Sequence, residues 1–155
     1  LKLKEANLGD SEVIGIYIFY NLIYALLAYP LGNIADKFGL KKTFIFGISM
    51  FAIVYFGMAF SESIIAFLVL FLIYGIYAAS TESISKAWIT NICKNEDTAT
   101  AIGTLTAFQS IATMLASFIA GLIWVNFGPK ITFISSGIIA LIVILYFLIT
   151  KISER

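Results

Sequence analysis

Five long apolar stretches dominate the 155-residue sequence and constrain its fold more than any other feature. The hydrocarbon core of a bilayer is about 30 Å thick, so a helix needs about 20 apolar residues to cross it. The stretches cover residues 13–31, 43–61, 64–90, 98–125 and 131–150, with charged or turn-forming residues between them. They lack the two-residue alternation that barrel strands require. The sequence therefore predicts an all-α fold, a polytopic transmembrane helix bundle with five spans in one module, 1–155.

The composition excludes several other classes of protein. Hydrophobic residues make up 61% of the chain and charged residues 12%, against roughly 45–50% and 25% in soluble domains. The ten Lys and Arg residues nearly balance the nine Asp and Glu residues, so no basic excess indicates a nucleic-acid partner. The chain has no histidine and one cysteine, Cys93, and these numbers leave no Ser–His or Cys–His dyad. With only Asp36 and Glu82 near membrane depth, we expect no enzyme activity, no metal site and no cofactor.

The basic residues fall on two sides of the predicted spans. Because cytoplasmic loops carry the excess of Lys and Arg, the richer side is predicted to be cytoplasmic. This side carries Lys37, Lys41, Lys42, Lys94, Lys151 and Arg155, with Lys86 just inside a helix end, and the other side carries Lys2, Lys4 and Lys130. We therefore expect a multi-pass protein of the cell membrane, plasma or bacterial inner, with a cytoplasmic C-terminus. The N-terminal dozen residues would then lie outside and begin with Leu1, so we expect at least one preceding helix to be missing.

A short internal repeat links the two ends of the chain. Residues 38–45 match residues 127–134 at six of eight positions. Three predicted helices separate the copies, so the two copies would enter the membrane from opposite sides. This arrangement is typical of the inverted-topology repeats of secondary transporters, and the alternative is that a Phe-Gly turn before an apolar helix has recurred by chance.

The segment 32–42, between the first two spans, reads GNIADKFGLKK. It resembles the loop signature G-x-x-x-D-[RK]-x-G-[RK]-[RK] of the major facilitator superfamily, except that Leu40 replaces one basic residue. We expect Gly39 to supply a turn of positive φ and Gly32 a close helix contact. The resemblance implies a cytoplasmic gating loop that latches one half of a transporter against the other, and the alternative is a set of plain positive-inside anchors. The matching residues are Gly32, Asp36, Lys37, Gly39 and Lys41.

The resemblance extends over the whole chain, through residues 20–32, 81–87, 100–103 and 120–124. It implies that the chain is the C-terminal half of such a transporter, helices eight to twelve, without the N-terminal half. The implied function is that of a secondary active transporter that moves a small organic solute or drug-like compound by alternating access, coupled to an ion such as the proton. Its partners would be the lipid bilayer, the solute and the missing half. The alternatives are a self-assembling small channel and a non-transporting remnant of a transporter.

Polar side chains concentrate in the first, third and fourth spans, whereas the second and fifth are nearly all apolar and are predicted to face lipid. Small residues recur every three or four positions along the fourth span, a spacing that favours close helix packing. The candidate cavity or coupling residues are Tyr17, Tyr20, Asn21, Tyr24, Tyr74, Tyr77, Thr81, Glu82, Lys86 and Gln109.

Glu82 and Lys86 are the most informative of these candidates. A charged side chain deep in a bilayer costs roughly 2.5–3.5 kcal/mol on insertion scales. Glu followed by Lys four residues later is the favourable order for a helical ion pair. We therefore expect either an ion pair that gates the cytoplasmic end or a direct role of Glu82 in proton or substrate coupling.

Overall fold

The computed structural model describes residues 2–6, 8–94 and 96–150, and its regular secondary structure over these ranges is entirely helical. Five of the six helices are long and apolar enough to cross a membrane, which confirms the predicted all-α membrane bundle. The helices are α1 (Lys2–Glu5), α2 (Asp10–Phe38), α3 (Leu40–Phe60), α4 (Ile64–Ile92), α5 (Thr98–Phe127) and α6 (Pro129–Ile149).

Helices α3 and α4 form the centre of the bundle. Helix α3 packs along both α4 and α6, and α4 also packs along α2, whereas α5 makes smaller contacts with α6 and α4. Seven residues of α3 are buried. The prediction that the second span faces lipid stays a prediction, because α3 packs against α4 and α6 but still exposes Phe46, Ile53 and Phe60. Helix α6 packs against α3 along one side and leaves most of its other residues exposed.

Glycines bring the central helices close together. A Cβ atom added at Gly47 of α3 would lie 2.8 Å from the Cβ of Ser80 in α4, and one added at Gly75 of α4 would lie 2.8 Å from the Cγ2 of Ile23 in α2. Such small residues let backbones approach within a membrane bundle. The expected close contact at Gly32 is not formed, because nothing among the described residues lies within 4 Å of its would-be Cβ.

The two copies of the repeat form matching junctions between helices. Gly39 separates α2 from α3 with φ 98°, and Gly128 separates α5 from α6 with φ 83°. Each glycine N–H donates to the carbonyl four residues earlier at 2.9 Å. The hydroxyls of Thr43 and Thr132 donate to the two glycine carbonyls at 3.1 and 3.0 Å. The junctions lie at opposite ends of the bundle, in agreement with an inverted repeat.

The segment 32–42 is helical on both sides of Gly39, although the sequence predicted a loop. Helix α2 passes through Pro30 and Gly32 and ends at Phe38, and α3 begins at Leu40. Proline and glycine are tolerated in membrane helices because neighbouring groups satisfy the backbone that they free. The signature residues therefore occupy two helix ends joined by one residue.

Four of the basic residues predicted on the cytoplasmic side lie at one end of the bundle: Lys37, Lys41, Lys42 and Lys94. The Nζ of Lys41, in the first turn of α3, donates to the carbonyl of Thr150 at the end of α6 at 2.8 Å. This bond ties together the ends of two helices that run in opposite directions. Lys151 and Arg155 lie outside the described residues.

The opposite end carries the remaining lysines. The Nζ of Lys130 lies 4.6 Å from the centre of the Phe60 ring, within the range of a cation–π contact. Lys4 pairs with Asp10 at 2.6 Å, and both side chains are largely exposed. The described lysines thus divide between the two ends of the bundle.

Candidate functional site

Three of the predicted tyrosines meet between α2 and α4. The ring centres of Tyr20 and Tyr74 are 5.2 Å apart, and those of Tyr74 and Tyr77 are 5.3 Å apart. Tyr17 joins them from one turn earlier in α2, with its ring centre 5.8 Å from that of Tyr20. Gly75 permits this approach because any side chain there would meet α2. We call Tyr17, Tyr20, Tyr74 and Tyr77 the tyrosine cluster.

The tyrosine cluster continues into a row of rings that the sequence analysis did not find. The Tyr77 ring lies 4.9 Å from that of Phe51, which stacks on Tyr55 at 4.0 Å. Tyr55 contacts Phe133 of α6 at 5.7 Å, and Phe133 contacts Trp124 of α5 at the same distance. No sequence signal marks these rings, since aromatic residues in an apolar span are ordinary packing residues.

Glu82 is held by a tyrosine of the neighbouring helix. The Oη of Tyr24 donates to the Oε2 of Glu82 at 2.9 Å. The predicted ion pair with Lys86 is wrong, because the described residues contain one ion pair, between Lys4 and Asp10. Both Glu82 and Lys86 are exposed.

Two other predicted residues bind to their own helices. The Nδ2 of Asn21 donates to the carbonyl of Tyr17 at 2.8 Å. The Oγ1 of Thr81, which is buried, donates to the carbonyl of Tyr77 at 2.9 Å. The remaining candidate, Gln109, is exposed on α5 and has no hydrogen bond to any described residue. The structure therefore brings the residues of the tyrosine cluster into contact, whereas the amide of Gln109 makes no hydrogen bond to any of them.

Helix α5 is the least packed of the long helices. All of its residues are described, and none is buried. Nothing among the described residues lies within 4 Å of a would-be Cβ at Gly103 or Gly121. The expectation that its small residues pack closely is therefore not met within the part of the chain that the structure describes.

Two clefts open beside the row of rings. One, of about 560 Å³, lies between α3, α5 and α6, and Tyr55, Tyr77, Thr113 and Ser117 contribute to its wall. The other, of about 390 Å³, lies towards α1 and is lined in part by Tyr55 and Trp124. Both volumes suit a small organic molecule, because ligand pockets typically enclose about 300–1,000 Å³.

The signature residues divide into two groups. Asp36 and Lys37 are exposed in the last turn of α2. Lys41 is half-buried and bound to the end of α6, as described above. The acid and the first lysine thus point away from the packed helices, whereas Lys41 takes part in holding the bundle together.

Comparisons with known proteins agree with this architecture. The sequence profile described as Major Facilitator Superfamily matches residues 3–155. An uncharacterized MFS-type transporter of Methanocaldococcus jannaschii is 33% identical over 142 residues, which cover 92% of this chain and 35% of that protein. The chain thus spans about a third of the length of this curated relative. Membership of a transporter family also points to transport rather than to an enzyme activity. The chain is a multi-pass membrane protein that belongs to the major facilitator superfamily.

Proposed function

We propose that the chain is part of a secondary active transporter that moves a small organic solute across the cell membrane. The solute would bind between two halves that expose the site alternately to each side, with an ion such as the proton as the driving species. Family membership supports transport, and a relative of which the match covers only 35% supports a second half. This chain would then contribute helices eight to twelve of a twelve-helix protein.

The single observation that carries the proposal is the position of Glu82. At 1.5 Å per residue, Glu82 lies roughly 27 Å from the start of α4 and about 15 Å from its end. Its carboxylate accepts a hydrogen bond from Tyr24 and has no basic partner among the described residues. Ionisable residues in membrane spans are costly and typically mark proton or substrate pathways. Glu82 therefore suits the exchange of a proton for a solute.

The exposed end of α2 suits the gating role implied by the signature. Asp36 and Lys37 are free to contact another part of the transporter, because both side chains are exposed. Lys41, bound to the carbonyl of Thr150, holds α3 and α6 together at the same end. We propose that this end is cytoplasmic and that Asp36 and Lys37 latch the two halves together there.

Transport by the intact protein in liposomes tests this function. A panel of labelled organic solutes is offered under an imposed pH gradient, and uptake is compared with uptake after the gradient is collapsed. We expect at least one solute to accumulate above equilibrium, and we expect Glu82→Gln to abolish this accumulation. The matched control is Glu62→Gln, since Glu62 is an exposed acid in the turn before α4.

Two results contradict the proposal. Accumulation by Glu82→Gln at the wild-type level removes Glu82 from the coupling mechanism. Ion conductance by this chain alone, without gradient-driven accumulation by the intact protein, favours a self-assembling channel.

A further inference from the structure

We infer that a cleft between α2 and α3 binds the acyl chain of an anionic phospholipid, with Lys42 paired to the phosphate of the headgroup. The cleft lies at the end of the bundle where Gly39 joins the two helices. The inference goes beyond the proposed function, because the residues that line this cleft include neither Glu82 nor any member of the tyrosine cluster.

The cleft is apolar along its length and carries one cation. It encloses about 320 Å³ between the last two turns of α2 and the first two turns of α3. The Oγ1 of Thr43 donates to the carbonyl of Gly39 at 3.1 Å, which leaves the ammonium of Lys42 as the polar side-chain group of the lining that can bind a ligand. The lining residues are Leu31, Ile34, Phe38, Lys42, Thr43 and Phe46.

The apolar wall of the cleft is open to its surroundings. Ile34, Phe38 and Phe46 are 41%, 66% and 44% exposed. Both α2 and α3 are long and apolar enough to cross a membrane, and lipid tails are as apolar as leucine side chains. From Leu31 to Phe38, α2 rises about 10 Å, so the cleft can hold the part of an acyl chain that lies next to the headgroup.

The charge at the mouth of the cleft favours an anionic headgroup. Lys42 is exposed in the first turn of α3, at the end of the bundle, and it forms no ion pair with a described acid. Asp36 is close in sequence, but it lies two residues from both Ile34 and Phe38. At about 100° per residue, this spacing places Asp36 on the opposite side of α2. Basic residues at the membrane surface attract anionic lipids, and the positive charge of Lys42 is not balanced at the cleft.

Native mass spectrometry of the intact protein tests the inference. The protein is titrated in detergent micelles with dioleoyl phosphatidylglycerol or with dioleoyl phosphatidylcholine, which have the same acyl chains, and bound lipids are counted. We expect the first anionic lipid to bind about fivefold more tightly than the first zwitterionic one, the effect of one basic residue at a membrane surface. Lys42→Gln should remove this preference. The matched control is Lys94→Gln, since Lys94 is an exposed lysine at the same end and does not line the cleft.

A second pair of variants tests the apolar wall. Ile34→Trp places a larger side chain in the cleft and should abolish the tight binding of the first anionic lipid. Ile53→Trp makes the same change at an exposed position of α3 outside the cleft and should leave that binding unchanged. Each variant must elute from gel filtration as the wild type does.

A soluble competitor separates a lipid from a free phosphate. An excess of glycerol 3-phosphate should not displace the lipid, because it has no acyl chain to fill the cleft. Displacement by glycerol 3-phosphate overturns the inference in favour of a soluble phosphate ligand.

The inference is also overturned if the wild type binds the two lipids equally, the result expected if another helix of the intact protein covers the cleft. Retention of the anionic preference by Lys42→Gln overturns it as well. None of these outcomes bears on the transport assay with Glu82→Gln, so the proposed function and the lipid site fail separately.

Discussion

Replacing Gly128 with alanine measures the free-energy cost of placing a non-glycine residue at the junction between α5 and α6. Gly128 has φ 83° and ψ 170°, a region of backbone space that is essentially restricted to glycine. Nothing among the described residues lies within 4 Å of the Cβ that alanine would add. The substitution should therefore change stability through backbone conformation alone, without a steric clash.

The expected loss follows from the cost of such a conformation. A non-glycine residue in this region costs about 1–3 kcal/mol, which lowers the ratio of folded to unfolded protein by about 5- to 150-fold. Gly39 has φ 98° and ψ 142° and makes the same N–H hydrogen bond. We therefore expect Gly39→Ala to cost a similar amount if the two copies of the repeat are equivalent.

Unfolding of the intact protein in mixed micelles, followed by helical circular dichroism, measures this loss. The matched control is Gly121→Ala, in the same helix, where the added Cβ also meets no described atom. Alanine is a better helix former than glycine by about 1 kcal/mol, so this control should be as stable as the wild type or more stable. The reasoning is refuted if Gly128→Ala is as stable as the wild type. It is also refuted if Gly128→Ala and the control Gly121→Ala lose the same stability.

Two further predictions concern packing and topology. Gly47→Ala should lower stability by about 1–3 kcal/mol, because the added Cβ would lie 2.8 Å from that of Ser80. In the control Gly15→Ala, the added Cβ meets nothing within 4 Å among the described atoms, so stability should not fall. The thermal unfolding midpoints of the two variants are compared with that of the wild type. Cys93, at the end of α4, should react with a membrane-impermeant maleimide in inside-out vesicles and not in intact cells, once cysteines outside this chain are replaced. Labelling in intact cells contradicts the proposed orientation.

Hydropathy alone located the five spans, because the requirement for about 20 apolar residues is set by the bilayer. The sequence also predicted the turn at Gly39, since a turn between antiparallel helices needs a residue that tolerates positive φ, and the structure shows the same turn at Gly128. The error at 32–38 came from ending the first span at residue 31. Helix α2 continues through both residues as far as Phe38.

The contacts of the site were less accessible to sequence reasoning. The spacing of Glu82 and Lys86 indicated a pair within one helix, but Tyr24, which lies 58 residues away in the chain, hydrogen-bonds to Glu82 instead. Four of the tyrosines predicted as cavity residues lie close together, but the sequence carried no information about their contacts with Phe51 and Tyr55. Which helices become neighbours depends on tertiary packing, and an apolar span shows little of that in its sequence.

The single-residue junctions also have a mechanical consequence. With one residue between the helices, α2 and α3 form one hairpin, and α5 and α6 form another with its tip at the opposite end. The two helix ends that meet at each tip must therefore move together. Longer links precede and follow α4, at 61–63 and 93–97. We expect α4, which carries Glu82, to act as the pivot between the two hairpins when the protein changes shape.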